Sequence, residues 1–395
     1  MSKHICYKVE FKPTKSQIIT INKTLGTCRS VYNLYLGCNK KNYENGNKEF
    51  ITAYDFSKRL NQVIKERNDL SWIKESSSKA ITESILNAEK SYKRFFKGLS
   101  GYPRFKSKKN MYQSYFFIKD QVKIKKSKIK VPILGWLKLK EKDYIKKNNK
   151  VTSGRIIKED DKYFVMLICK RKKKLKKKET ENEGLGIDAG IKNYLTIANS
   201  YNDNIGIVRN FNKNKVIKEI EEKIKQYQQI IANKIEINKK RGGEKPAIYN
   251  SNNILKLRKK IRELFRRLRN IRNDNIKKIC DGLTKIKLKY ITIEDLSNEN
   301  ILQKSQHKLS DNWAKCKFYY FRQFLAWKCE QRGIELRIAK RNYPSSKTCS
   351  CCGYINKELT LSDRTYICPE CGMELDRDVN AYINLLNTNK YSISK

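Results

Sequence analysis

Histidine is almost missing from this 395-residue chain, which has only His4 and His307, neither of them in a motif. Mechanisms that need paired imidazoles are thereby disfavoured, HNH-type nuclease and HUH-type transposase chemistry among them. No run of about 18 apolar residues is present to span a bilayer. The opening MSKHICYKVEFK also lacks the apolar core of a signal peptide, so the expected location is the cytosol, or the nucleus in a eukaryotic host. Acids are scarce relative to bases: 40 Asp plus Glu against 88 Lys plus Arg give a formal charge of +48. Such a chain repels itself unless a polyanion neutralises it. Nucleic acid is the expected partner, with a membrane surface the weaker alternative.

The length allows a sizeable core divided into two or three domains. Of twelve cysteines, seven are scattered singly: Cys6, Cys28, Cys38, Cys169, Cys280, Cys316 and Cys329. They read as small buried hydrophobes in a reducing compartment. The other five lie in TCSCCGYINKELTLSDRTYICPECG, where Cys349/Cys352 and Cys368/Cys371 each have CxxC spacing. Fifteen residues between the pairs suffice for a hairpin that brings four thiolates to one tetrahedral ion, the pattern of a four-cysteine zinc site. Gly353 and Gly372 follow the second cysteine of each pair, where a knuckle turn favours positive φ. The competing readings are a disulfide pair or unligated thiols. Cys351 is a spare thiol that could compete as a ligand, although the spacing favours Cys349 with Cys352.

Texture divides the rest. Ile5 to Phe11 alternates as a strand, and amphipathic stretches follow at Ser16 to about Cys38, Tyr54 to Lys65 and Ser78 to Phe96. From Tyr112 to Cys169 the runs SYFFI, VKIKKSKIKV and YFVMLIC read as strands. A strand, then helices, then more strands suggests a β-barrel-like domain with a helical insertion. RKKKLKKKE, at Arg171 to Glu179, reads as a solvated linker or, less simply, a binding segment, and marks a boundary either way. Beyond it, LGIDAGIKNYLTIAN reads as two strands turning at Gly190. Long helical patterns follow at about Lys213 to Ile237 and Asn253 to Lys278. In the second, Leu257, Ile261, Leu264, Phe265, Leu268 and Ile271 share one face and basic residues occupy the others. Lys287 to Ile293 reads as a strand and Asp311 to Arg332 as a helix stopped by Gly333.

Three carboxylates stand where strands or helices meet the chain's turns: Asp188 within a glycine-flanked strand, Glu294 at a strand end, and Asp378 at the start of the helix Val379 to Leu386. Each has a bland reading alone, as turn former, surface acid and helix cap. In the order strand, strand, helix, they can converge at one sheet edge and hold two Mg²⁺ ions.

Taken in sequence, LGIDAGIKNYLTIA, YITIEDLS, YPSSKTCSCCG, YICPECG and LDRDVNAYINLL resemble the split nuclease core and inserted zinc ribbon of the TnpB family. YKVEFKPTKSQ, CRSVYNLYL, GYPRFKSKKNMYQSYFF and NIRNDNIKKI extend the likeness over nearly the whole chain. Miniature type V CRISPR nucleases and eukaryotic Fanzor proteins share that core. The resemblance implies an α+β multidomain protein. Residues 1–13 and 104–180 would form a wedge-like β-barrel, with 14–103 a helical recognition insertion. Residues 181–344 and 374–395 would form an RNase H-like RuvC nuclease domain (α/β), with a helical hairpin at about 211–280 and the zinc ribbon at 345–373.

It further implies a Mg²⁺-dependent, RNA-guided DNA endonuclease associated with transposon maintenance. The acids carried over are Asp188, Glu294 and Asp378 for two Mg²⁺, with Asp376 the rival third acid and Arg377 a possible phosphate contact. The ligands of one structural Zn²⁺ are Cys349, Cys352, Cys368 and Cys371. Where the family pattern has two alanines after the asparagine, this chain has Ala381 and Tyr382. The implied partners are a guide RNA from the transposon end and double-stranded target DNA with a short adjacent motif, bound by a monomeric ribonucleoprotein away from membranes. Tyr92, Arg94, Phe95, Phe96, Tyr102, Arg104 and Phe105 suit base stacking and phosphate contact, or else a core-facing helix end. Two other functions fit the same bulk charge: a catalytically silent guided DNA-binding repressor, and a zinc-ribbon protein that binds structured RNA.

Overall fold

The computed structural model describes residues 4–47, 49–109, 112–120, 122–145, 150–170, 184–199, 206–242, 247–286, 288–295, 307–340, 343–360, 363–388 and 391–393. The chain forms two compact units, residues 1–174 and 175–395, both of mixed α and β structure. The basic run Arg171 to Glu179 lies outside the described residues.

In the first unit, β1 (His4–Lys12) is followed by α1 (Lys15–Glu44), α2 (Ala53–Glu66) and α3 (Ser78–Phe96). Then come β2 (Tyr112–Ile118), β3 (Lys123–Lys125), β4 (Lys128–Val131), β5 (Gly135–Leu139), β6 (Val151–Glu159) and β7 (Lys162–Lys170). The strands pair antiparallel in the order β2, β6, β7, β1, β5, β4, β3. Period-2 alternation decides which face is inward. Tyr163, Val165, Leu167 and Cys169 of β7 join Val9 and Phe11 of β1 in one core.

Thr14 starts α1 with a reciprocal cap, its hydroxyl accepting from Gln17 N while Gln17 Oε1 accepts from Thr14 N. This helix runs six residues past Cys38 because its two halves serve different cores. Ile21, Leu25 and Cys28 pack on the sheet. Tyr35 and Leu36 pack among Phe56, Leu60, Ile85 and Tyr92 of the helical cluster. The aromatic set at the end of α3 therefore splits. Tyr92 is core, while Phe96, Tyr102 and Phe105 are 65%, 50% and 60% exposed. Two scattered cysteines depart from the expected burial. Cys6 falls on the outer face of β1 and is exposed, and Cys38 is half-buried.

The second unit contains β8 (Gly184–Ala189), β9 (Asn193–Asn199), β10 (Gly206–Arg209), α4 (Lys215–Lys240), α5 (Ala247–Asn250), α6 (Asn252–Lys285) and β11 (Tyr290–Ile293). It continues with α7 (His307–Cys316), α8 (Phe318–Arg332), β12 (Glu335–Ala339), β13 (Thr365–Ile367), β14 (Glu374–Asp376), α9 (Arg377–Asn387) and β15 (Tyr391–Ile393). Six strands make one sheet in the order β10, β9, β8, β11, β12, β15. Its centre is parallel, β8 with β11 and β11 with β12, and its flanks are antiparallel. Parallel strands covered on both faces read as continuous apolar runs, which explains ITI in β11 and the buried GLGI of β8.

Leu185, Ile187 and Ile291 pack with Cys280 of α6 and Phe321, Leu325 and Cys329 of α8. Each such buried Leu, Ile or Phe contributes about 1.5–3 kcal/mol. That packing also draws α6 seven residues beyond Lys278 to bury Leu283. The seam between α4 and α6 is made by Ile217, Ile220, Ile224, Ile261 and Leu268, whereas Phe265 is 51% exposed. The single helix expected over Asp311 to Arg332 is two. Lys317 takes φ 54° between α7 and α8, which re-aims the chain so that Phe318 and Phe321 enter the core.

Candidate active site and metal centre

Asp188 lies near the carboxyl end of β8, and Glu294 immediately follows β11. The strands are parallel neighbours with Ile187 opposite Ile293, so the next residue of each, Asp188 and Glu294, emerges at the same sheet edge. The third acid arrives on α9. Gly186 makes that approach possible: a Cβ there would stand 2.5 Å from Tyr382 O and 2.8 Å from Leu386 N, both on α9. Only a glycine lets the helix backbone lie this close to the strand.

Burial, and after it the charges of Glu294 and Asp378, push the Asp188 carboxyl up to about 7, against a weaker pull from the Ala189 N–H and Arg377. The three acids thus share one electrostatic environment. Among the described residues, the group of potential metal ligands whose ligand atoms all lie within 4.8 Å of one another is the cysteine cluster.

The acids beside the three are occupied elsewhere. Asp376 is the N-cap of α9, its Oδ1 accepting from Asp378 N at 2.9 Å and Val379 N at 3.3 Å. The cap reading therefore belongs to Asp376, and Asp378 is left in the first turn facing Asp188. Asp295 accepts from Arg322 at 2.5 Å, while Glu294 Oε1 accepts from the Ser345 hydroxyl at 2.6 Å. Arg377 donates to Thr360 O and ion-pairs with Asp378 at 3.8 Å.

The four predicted thiols converge. Cys349 and Cys371 sulfurs are 3.6 Å apart, as are those of Cys352 and Cys368. A tetrahedral ion with about 2.3 Å bonds to sulfur needs sulfur–sulfur edges of about 3.8 Å, so the quartet fits one ion. Gly353 at φ 80° and Gly372 at φ 69° turn the two knuckles, and their N–H groups donate to Cys349 O and Cys368 O. Although burial pushes it up, the N–H groups of Cys371 and Glu370 hold the Cys368 thiol down at about 6, which favours the thiolate a metal needs. The β13–β14 hairpin supports the quartet through fully buried Tyr366, packed with Cys349, Leu359 and Cys368. Cys351 is exposed and outside the quartet.

Sequence reasoning missed Ser345, Asn380 and Asn384. The asparagines stand four apart on α9, buried, and bind the root of the cysteine hairpin through Ser345 O, Thr348 O and Ser350 N. An apolar-face asparagine pair at helical spacing was the available signal.

Residues 318–385 match the family model described as Cas12f1-like, TNB domain, and residues 1–48 match one described as a helix-turn-helix domain. The latter segment folds here as a strand and one 30-residue helix. In a solved complex of Cas12f1 with guide RNA and target DNA, the Cas12f1 chain shares the fold at a TM-score of 0.56 and 16% identity, over 95% of this chain and 83% of that one. TnpB-like proteins of Acanthamoeba polyphaga mimivirus are 33% identical over 52% of this chain and 37% of theirs. A protein of Escherichia coli named RNA-guided DNA endonuclease InsQ is 25% identical over 96% of this chain and 91% of its own. A Streptomyces pristinaespiralis protein named RNA-guided DNA endonuclease is 25% identical over 96% and 88%. Both of these are matched along almost their full length, so the chain is similar throughout to proteins named RNA-guided DNA endonucleases, and over half its length to TnpB-like proteins.

Proposed function

We propose that this protein is an RNA-guided DNA endonuclease of the TnpB type that hydrolyses target-DNA phosphodiesters at Asp188, Glu294 and Asp378. The observation that carries the reading is the gathering of these acids around a buried Asp188, whose carboxyl is raised to about 7 by burial first and then by the charges of Glu294 and Asp378. Like charges gathered without a basic partner for each are costly, and catalytic sites are where such clusters occur. An all-oxygen donor set of this kind suits a hard cation.

Asp188, Glu294 and Asp378 would hold two Mg²⁺, which supply the positive charge that stabilises the attacking and leaving oxygens of the displacement. With its carboxyl raised to about 7, Asp188 is about half protonated at neutral pH and would give up that proton to hold a cation. Asp376 fixes the first turn of α9, and so the place of Asp378. Arg377 tempers the local negative charge through its pair with Asp378.

Within this reading the second unit is the RNase H-like RuvC nuclease domain, with 181–344 and 374–395 its body and α4 with α6 its helical hairpin. Residues 345–373 are its ribbon, with one structural Zn²⁺ on the four cysteines. The first unit is the wedge-like barrel, 1–13 and 104–180, with the recognition helices 14–103. Guide RNA pairs with one strand of duplex DNA while the +48 chain binds backbones of both, so the protein needs phosphate affinity more than base readout. The expected particle is a monomeric ribonucleoprotein.

The deciding experiment is cleavage of matched duplex DNA by protein purified with its co-expressed RNA, in Mg²⁺ and in EDTA. Asp188→Ala abolishes cutting and keeps guide and target binding. Undiminished cutting by that variant would refute the acid assignment, and guided binding without cutting by the parent would make the protein a repressor.

A further inference from the structure

Glu294 and its neighbour Asp295 are treated differently by the fold. Among the described residues, Asp295 is paired with Arg322, whereas the hydrogen bond to Glu294 comes from a hydroxyl, Ser345 Oγ donating to Oε1 at 2.6 Å. A short charge-assisted hydrogen bond of this kind fixes a carboxylate without cancelling its charge. A lysine or arginine there would compete with a cation; serine does not.

Ser345 is itself held. It is 3% exposed, and Asn384 Nδ2 donates to its carbonyl at 2.9 Å and to Thr348 O at 2.6 Å. Asn380, 0% exposed, donates to Thr348 O at 2.6 Å and accepts from Ser350 N at 2.8 Å. Ser350 lies between Cys349 and Cys352, and both asparagines stand on the helix whose first turn carries Asp378. A buried chain of hydrogen bonds thus joins the thiol centre to Glu294, and the same helix joins it to Asp378.

We propose that Ser345 is a positioning residue for Glu294, and that Asn380, Asn384 and the metal-loaded ribbon keep Ser345 in place, so that the ribbon sets the cation affinity of the acid site. This rests on Glu294 being a cation-holding acid. Residues that orient a ligand from behind typically change metal affinity about 10- to 100-fold when removed. Being neutral and buried, the network acts on the geometry of Glu294 and leaves its charge intact.

The test compares the full-length zinc-loaded chain, freed of RNA by high salt, with Ser345→Ala, Ser345→Thr and Glu294→Gln. Mn²⁺ binding is read by electron paramagnetic resonance, zinc content by metal analysis, and DNA cleavage by the reconstituted ribonucleoprotein over a Mg²⁺ series. Ser345→Ala should raise the half-saturating Mn²⁺ concentration about 10-fold, with zinc still near one per chain and cleavage recovering at high Mg²⁺. Ser345→Thr, which keeps the hydroxyl, should restore the parent values. A Mn²⁺ titration of Ser345→Ala that superimposes on the parent overturns the proposal, as does failure of Ser345→Thr to rescue. If Glu294→Gln leaves both Mn²⁺ binding and cleavage intact, it is the underlying acid assignment that fails. Should Ser345→Ala not fold, Asn384→Leu removes the donor to Ser345 O and Thr348 O at similar size and without adding charge; it should weaken Mn²⁺ binding in the same way, and parent-like binding overturns the proposal.

Discussion

Asp376 caps the helix on which Asp378 stands, its Oδ1 accepting the N–H of Asp378 at 2.9 Å. Two acids of one motif, two residues apart, therefore have different surroundings: Asp376 is the cap, and Asp378 lies near enough to Asp188 to push its carboxyl up. Asp378→Ala should abolish cleavage with little change in thermal stability. Asp376→Ala should cost about 1 kcal/mol of stability through the lost cap and retain measurable cleavage, with Asp376→Ser recovering most of the loss. Thermal melts beside cleavage rates check both; a dead Asp376→Ser with a live Asp378→Ala would reverse the assignment.

The raised Asp188 carboxyl has a stability consequence whose sign is fixed by linkage. Its folded value, about 7, lies above the reference 3.8, so the folded state holds the proton more tightly. Its favourable contribution is full below about pH 4 and is lost as pH rises through 7. In EDTA at pH 8, Asp188→Asn should therefore be more stable than the parent, by on the order of 2 kcal/mol. Mg²⁺ should raise the parent's melting temperature and leave the variant's nearly unchanged. A variant less stable than the parent in EDTA at pH 8 would contradict the account of a carboxyl raised by burial and by the neighbouring acids.

Gly186 is required by close approach rather than by a turn. In Gly186→Ala the added Cβ meets backbone atoms of α9, Tyr382 O and Leu386 N, which cannot swing aside as a side chain would. The helix must retreat, at a cost of about 1–3 kcal/mol, and it takes Asp378 with it. Cleavage should fall more than 10-fold while guide-RNA binding persists, and a parent-like cleavage rate would show that α9 tolerates the shift.

The cysteine quartet predicts about one zinc per chain. Cys368→Ser should lose the metal and destabilise the hairpin packed around Tyr366, whereas Cys351→Ser should keep both, because Cys351 is exposed and outside the quartet. Metal analysis and circular dichroism of the two variants settle the point: zinc retained by Cys368→Ser, or lost from Cys351→Ser, would change the ligand set.

Much was legible because local chemistry dictates it. CxxC spacing with glycines after it specifies a knuckle whatever the rest of the chain does, and the apolar alternation of β7 specifies its inner face. The helix at Ser78–Phe96 carries its period without interruption and is found between those residues. Where the reading fell short, distant packing had overridden local pattern. The break at Lys317 carries no glycine or proline, and it exists because Phe318 and Phe321 must reach the core under β8 and β11. Phe265 follows the helical period of its neighbours, yet the α4 seam is too narrow to cover it.

By itself the sequence determined the charge that calls for a polyanion, the thiol quartet, and the order in which strand, strand and helix present their acids, since each depends on residue type and spacing along the chain. Only the tertiary structure decided what each acid of a neighbouring pair meets. Arg322 comes from α8 to claim Asp295, and Ser345 comes from the ribbon root to hold Glu294. Between Asp376 and Asp378 the choice rests on which one lies at the cap and which faces Asp188. Those partners lie as far as 51 residues away in sequence, and a hydrogen bond acts only across about 3 Å of space, so folding alone could bring them together.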